Sequence, residues 1–180
     1  GYGIGYAIWA WGSNDVYQTR INNAKAYDLQ WLLLGLIIFQ LANTWMNAFT
    51  MSKKAAIMDW NQPKLRPNMG IYKLATVPED EGSAVVLMTE GDAGRYNRAN
   101  RATYHFLENS IAFVFSQYAA FYIFPFPAFV LLCAFSFGRI AYQIGYTSFG
   151  MGGHLIGFLF DRIATATLTG LFIIAYSKSF

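Results

Sequence analysis

The sequence predicts an all-α membrane protein, a four-transmembrane-helix bundle. Only 13% of its 180 residues are charged and 55% are hydrophobic, whereas a soluble domain carries about a quarter charged. Four stretches, at about 29–51, 102–124, 128–147 and 154–176, each approach the roughly 20 residues that cross a bilayer core. None shows the period-two alternation of a barrel strand. In hydrocarbon every backbone amide needs an internal partner, so these stretches are read as helices.

Taken in order, residues 1–28 form an N-terminal interfacial extension and residues 29–180 the membrane domain. The opening "GYGIGYAIWAWG" is apolar but too short to span, and it lacks the basic start of a signal peptide. It reads as an aromatic-rich segment that contacts the interface or a partner. The first span, 29–51, has no charge. Gln40, Asn43 and Asn47, with Thr44 beside them, fall on one helical face, which is expected to turn toward other helices. A polar loop, 52–101, follows, with turn-rich "WNQPKLRPNMG" and "PEDEG" stretches, part of it expected to be extended or disordered. Pro125 and Pro127 punctuate the second and third spans as a tight hairpin, and "SFGMGG" separates the third from the fourth.

The loop 52–101 holds Lys53, Lys54, Lys64, Arg66, Lys73, Arg95, Arg98 and Arg101, eight of the 13 basic residues. The positive-inside rule puts it on the cytoplasmic or equivalent side, with both termini opposite. A net charge of +3 with no basic stripe excludes a nucleic-acid partner. Cys133 is the one cysteine, so no internal disulfide forms, and it reads as a small apolar core residue. His154 and Asp161 share a face at spacing seven, but two ligands do not make a metal site.

The chemistry lies in the polar groups of the middle spans. Arg98, Arg101, His105 and Glu108 are spaced 3, 4 and 3, a continuous helical stripe, with Asn109 beside it. Glu108 lies roughly 10 Å deeper than Arg101 at 1.5 Å per residue. A carboxylate there must be paired, neutralised or solvated. On the third span Arg139, Tyr142 and Tyr146 share a face at spacings 3 and 4. Two readings follow: a Glu108–Arg139 ion pair that locks the helices, or a cleft for a zwitterionic ligand. In the second, arginines fork onto carboxylates and Glu108 takes an ammonium.

"RANRATYHFLEN" followed by "GRIAYQIGY" resembles the MAPEG family, the membrane-associated proteins of eicosanoid and glutathione metabolism. The likeness covers about residues 95–176 and rests on both motifs in order. It implies a homotrimer of four-helix bundles that binds glutathione at subunit interfaces on the cytosolic side. On this likeness Arg98, Arg101, His105, Glu108, Asn109, Arg139, Tyr142 and Tyr146 occupy ligand-contacting or site-shaping positions. Tyr142 and Tyr146 are also the catalytic candidates, as hydrogen-bond donors to the sulfur. Two departures matter. His105 stands where the family has Asn. The family's thiolate-activating arginine, expected near Gly153, is missing from "SFGMGGHLIG". "GHLIG" is instead a GxxxG pattern suited to close helix packing, and Arg162, beside Asp161, is expected to pair rather than catalyse.

Two functions compete. One is a glutathione transferase or peroxidase acting on lipophilic electrophiles, with glutathione as its cofactor. The other is a catalytically inactive structural subunit of a larger membrane complex. Expected partners are membrane lipids and either further copies or other membrane subunits. The expected location is the endoplasmic reticulum or a mitochondrial membrane.

Overall fold

The computed structural model describes residues 2–57, 69–77 and 82–180. Six helices and one hairpin appear in the order α1 (Tyr2–Trp11), α2 (Asn14–Ala26), α3 (Gln30–Ala55), β1 (Tyr72–Val77), β2 (Gly82–Leu87), α4 (Gly91–Ile123), α5 (Pro125–Phe149) and α6 (Leu155–Lys178). Of these, α3, α5 and α6 are long and apolar enough to cross a membrane. The 33-residue α4 is longer still, about 50 Å. Its first half carries Asp92, Arg95, Arg98 and Arg101, and Glu108 lies just past its middle.

Helix α5 is the central member and packs against α3, α4 and α6. The core runs along it: Ala128, Leu131, Leu132 and Phe135 meet Met46 of α3, Phe106, Phe113 and Phe121 of α4, and Ala164 and Leu168 of α6. Phe113 and Phe135 stack with ring centroids 3.8 Å apart. Lipid is as apolar as these side chains, so packing contacts and not water exclusion hold the helices together. The tight connection expected at "FPFP" is present. α4 ends at Ile123, Phe124 alone adopts a non-helical backbone, and Pro125 opens α5. Proline suits that position because a first-turn N–H has no intrahelical acceptor.

Helices α5 and α6 meet at glycine. A Cβ added at Gly157 would collide with the Tyr142 backbone nitrogen and the Gly138 carbonyl, and one at Gly145 with the Gly153 carbonyl. The GxxxG reading is therefore realised as backbone-on-backbone contact.

Three expectations need correction. The face of Gln40, Thr44 and Asn47 points outward, and Asn43 is only half-buried. α3 instead buries Gly35, Ala42, Met46, Thr50 and Lys54, because glycine, alanine and threonine let the backbone approach its neighbours more closely than the amides would. Second, α4 starts at Gly91 and takes in the last eleven residues of the stretch read as loop. Its basic side chains made it look like surface, although they suit a helix that rises out of a membrane. Third, Cys133 is only partly buried; it lines an apolar groove of about 660 Å³ between α3 and α5, with Ala42, Trp45, Ser136 and Phe137.

The remaining loop holds an antiparallel hairpin, with Tyr72 opposite Leu87 and Leu74 opposite Val85. Most of "WNQPKLRPNMG" and of "PEDEG" lies outside the described residues. A lone two-stranded hairpin is marginal in water, and here Asn97 of α4 holds both of its ends. Asn97 Oδ1 accepts from Ile71 N at 2.9 Å, and Nδ2 donates to the Ile71 and Met88 carbonyls at 2.8 Å each. Asn100 donates to the Met69 carbonyl at 3.1 Å. Tyr96 beside them is fully buried, and that burial pushes its phenol pKa up.

Candidate functional site

Charged groups converge where α4, α5 and α6 meet. Arg139 of α5 is 1% exposed and Asp161 of α6 is fully buried, and Arg139 Nη1 donates to Asp161 Oδ2 at 3.2 Å. Arg139 Nη2 reaches the Ala102 carbonyl of α4 at 3.4 Å, and the guanidinium sits 4.9 Å from the Tyr142 ring centroid. Nη1 also lies 3.0 Å from His105 Nδ1. A guanidinium has no acceptor, so His105 Nδ1 must accept and the ring carries its one proton on Nε2. His105 is thereby a neutral ring with its N–H directed away from Arg139.

Asp161 has a second arginine. Arg162 Nη2 donates to Asp161 Oδ2 and to Asn109 Oδ1, both at 3.2 Å. The expected pairing of Arg162 with its neighbour is present. The Glu108–Arg139 pair is not. Glu108 Oε1 accepts from Arg101 Nη1 at 2.8 Å on the outer face of α4, where both side chains are about half exposed (54% and 53%). The cause is the glycine contact, which holds α5 against α6 and presents Arg139 to Asp161.

The aromatic candidates form one cluster. His105 stacks on Tyr142 with centroids 5.1 Å apart, and Tyr142 lies 5.8 Å from Tyr146. His154, at the start of α6, packs 5.1 Å from Tyr142 and 5.8 Å from Tyr146, and its Nδ1 is buried without a hydrogen-bond partner among the described residues. Tyr142 is nearly buried, while Tyr146 keeps intermediate exposure. Arg98 is placed apart from this cluster. Its Nε donates to the Thr147 carbonyl at 3.1 Å and its Nη1 to the Thr89 carbonyl at 2.7 Å, clipping α4 to the end of α5 and to the hairpin exit. Asn109 Nδ2 donates to the His105 carbonyl at 2.7 Å.

The match is to the whole bundle. The MAPEG family model covers residues 29–174. The chain belongs to the MAPEG family. No curated relative and no solved structure matches it.

Within this MAPEG chain two groups escaped the sequence reading. Asp161 was legible as a neighbour of Arg162 and as sharing a face with His154, and its complete burial was not. Gln143 joins three helices: its Nε2 donates to Thr50 Oγ1 and to the Ala99 carbonyl, both at 3.0 Å, while Thr50 and Thr103 hydroxyls pair at 2.9 Å. Gln143 is one residue from Tyr142, so the Arg139–Tyr142–Tyr146 spacing drew the eye past it. Finally, α4 and α6 leave a cleft of about 180 Å³ that Glu108, Asn109, Ser116, Arg162, Thr165 and Thr169 help to line.

Proposed function

We propose that this MAPEG protein is of the glutathione transferase or peroxidase type, binds glutathione along the Arg101–Glu108 face, and acts on lipophilic electrophiles dissolved in the bilayer. The observation that carries the reading is the half-exposed Arg101–Glu108 pair at 2.8 Å. Ionised groups at bilayer depth are costly when they face lipid, so that face is covered by a second chain, a ligand or both. A zwitterionic peptide suits it: a ligand carboxylate takes Arg101 and an ammonium takes Glu108. One ion pair is exchanged for two and no charge is stranded. His105 supplies a neutral N–H donor between them. Tyr146, the more accessible tyrosine, donates to the sulfur, with Tyr142 behind it. A thiolate so stabilised is the nucleophile toward the electrophile, and its thiol proton leaves to solvent.

This reading brings the family architecture with it. α4 is the fourth span, three copies assemble, and the Arg101–Glu108 face lies at the contact between copies. The hairpin side is cytoplasmic or its equivalent, in the endoplasmic reticulum or a mitochondrial membrane. The uncharged α1, apolar on all sides, rests in the interface or on a partner.

A second reading has its own support. The first arginine of α6 is Arg162, more than two turns beyond the position where active relatives carry theirs, and the α5–α6 glycine contact takes up that position. An inactive structural subunit of a larger assembly would keep Arg139–Asp161 as a helix lock and lose the chemistry.

Calorimetric titration of glutathione into the protein in nanodiscs, with conjugation of a chloronitrobenzene-type electrophile, decides between them. The enzyme reading expects binding that Glu108→Gln abolishes, with measurable turnover. Absent glutathione binding, together with stable co-purification of other subunits, overturns it in favour of the structural reading.

A further inference from the structure

The charged cluster does not balance. Arg101, Arg139 and Arg162 contribute three positive charges, Glu108 and Asp161 two negative ones, and His105 is neutral. Glu108 answers Arg101, and Asp161 is already met by Arg139. Among the described residues no third carboxylate pairs with the cluster, so Arg162 shares a neutralised partner. Its other contacts, Asn109 and the Phe158 ring 5.4 Å away, are uncharged. Arg162 nevertheless is 43% exposed and lines the α4–α6 cleft. A surplus guanidinium at bilayer depth is unfavourable unless an anion joins it.

The cleft is graded along its length. Short connections make α5 antiparallel to both neighbours, so α4 and α6 run the same way. Glu108, Asn109 and Arg162 lie at the end nearer the hairpin. Phe113, Leu168 and Phe172 line the cleft further along, with Ser116 and Thr169 among them. The volume of about 180 Å³ equals that of roughly six waters, which suits a head group and not a whole lipid.

We propose that this cleft is an anion site in which Arg162 binds the carboxylate or phosphate of an anionic amphiphile. The chain leaves past Phe172 into the bilayer. Ser116, whose hydroxyl has no partner among the described residues, donates to the same head group. The cleft shares Glu108 and Asn109 with the proposed glutathione face, whereas Arg162 and Ser116 lie outside the stripe assigned to that peptide, so variants at Arg162 and at Glu108 tell the two readings apart.

Native mass spectrometry of the protein in neutral detergent tests it, with oleate and phosphatidylglycerol as amphiphilic probes and glutathione as the water-soluble one. Two variants separate charge from space: Arg162→Gln, in which Asp161 still pairs with Arg139, and Thr169→Leu, which fills the cleft and leaves the charge. Retention of an amphiphile that falls in both variants is the expected result, by about 10-fold or more in Arg162→Gln, the loss of a charge-assisted hydrogen bond being of that order. Unchanged retention in either variant, or no amphiphile retained by the wild type, overturns the lipid assignment. If only glutathione binds and Arg162→Gln weakens it, the anion comes from water and the lipid part fails. If only glutathione binds and only Glu108→Gln weakens it, the proposed function stands and the Arg162 site falls.

Discussion

Replacing Asp161 with Asn removes the charge from a carboxylate that is fully buried and serves two arginines. Arg139 would keep its contacts to His105 and the Ala102 carbonyl, but at 1% exposure its charge would have no counter-ion. Breaking one partner of such a pair costs about 3–5 kcal/mol. That is about two to four powers of ten in the unfolding equilibrium, or a fall of about 6–20 °C in Tm for a chain of this size. The assay is reversible unfolding in mixed micelles followed by circular dichroism. A companion removes both charges, Arg139→Met with Asp161→Leu, and is expected to recover to within about 1 kcal/mol of wild type, since an apolar pair of similar volume pays no desolvation. Glu108→Gln serves as the comparison: its Arg101 partner is half exposed, so the loss should be smaller than at Asp161. Asp161→Asn within about 0.5 kcal/mol of wild type would refute the argument, because a buried Arg139 without its carboxylate cannot be that cheap.

Two further outcomes follow from the packing. Gly157→Ala should lower stability by about 1–3 kcal/mol, because the new Cβ meets the Tyr142 backbone nitrogen and the Gly138 carbonyl, neither of which can rotate away; an unchanged Tm would refute the contact. Asn97→Ala removes three hydrogen bonds to the hairpin ends. At about 0.5–1.5 kcal/mol each, hydrogen exchange at 72–77 and 82–87 should rise at least about 10-fold while α5 amides stay protected.

How much of this was legible depended on whether a residue's neighbours in space were also neighbours along a helix. Three of the four expected spans were readable because membrane crossing is a matter of length and hydropathy, and "FPFP" because proline dictates its own backbone. The motifs at Arg98–Asn109 and Arg139–Tyr146 identified the family because they are local spacings. Pairings between helices were not readable. Glu108 and Arg139 lie at compatible depths, but depth does not fix the azimuth of a helix, and the glycines that turn Arg139 toward Asp161 are interpretable only once the α5–α6 contact is known. The outward turn of Gln40 and Asn47 has the same origin: polarity predicted a protein-facing side, whereas the small Gly35 and Ala42 determined it. The hairpin was hidden because its anchor, Asn97, belongs to a helix whose start looked like loop.

Helix α4 has neither proline nor glycine from Arg95 to Ile123, so it lacks the usual sites at which a helix bends. Asn97 and Glu108 are eleven residues apart, three turns that return to nearly the same azimuth. Whatever grips the hairpin outside the bilayer therefore holds the handle of a stiff shaft, and a twist applied there arrives undiminished at the carboxylate some 16 Å below.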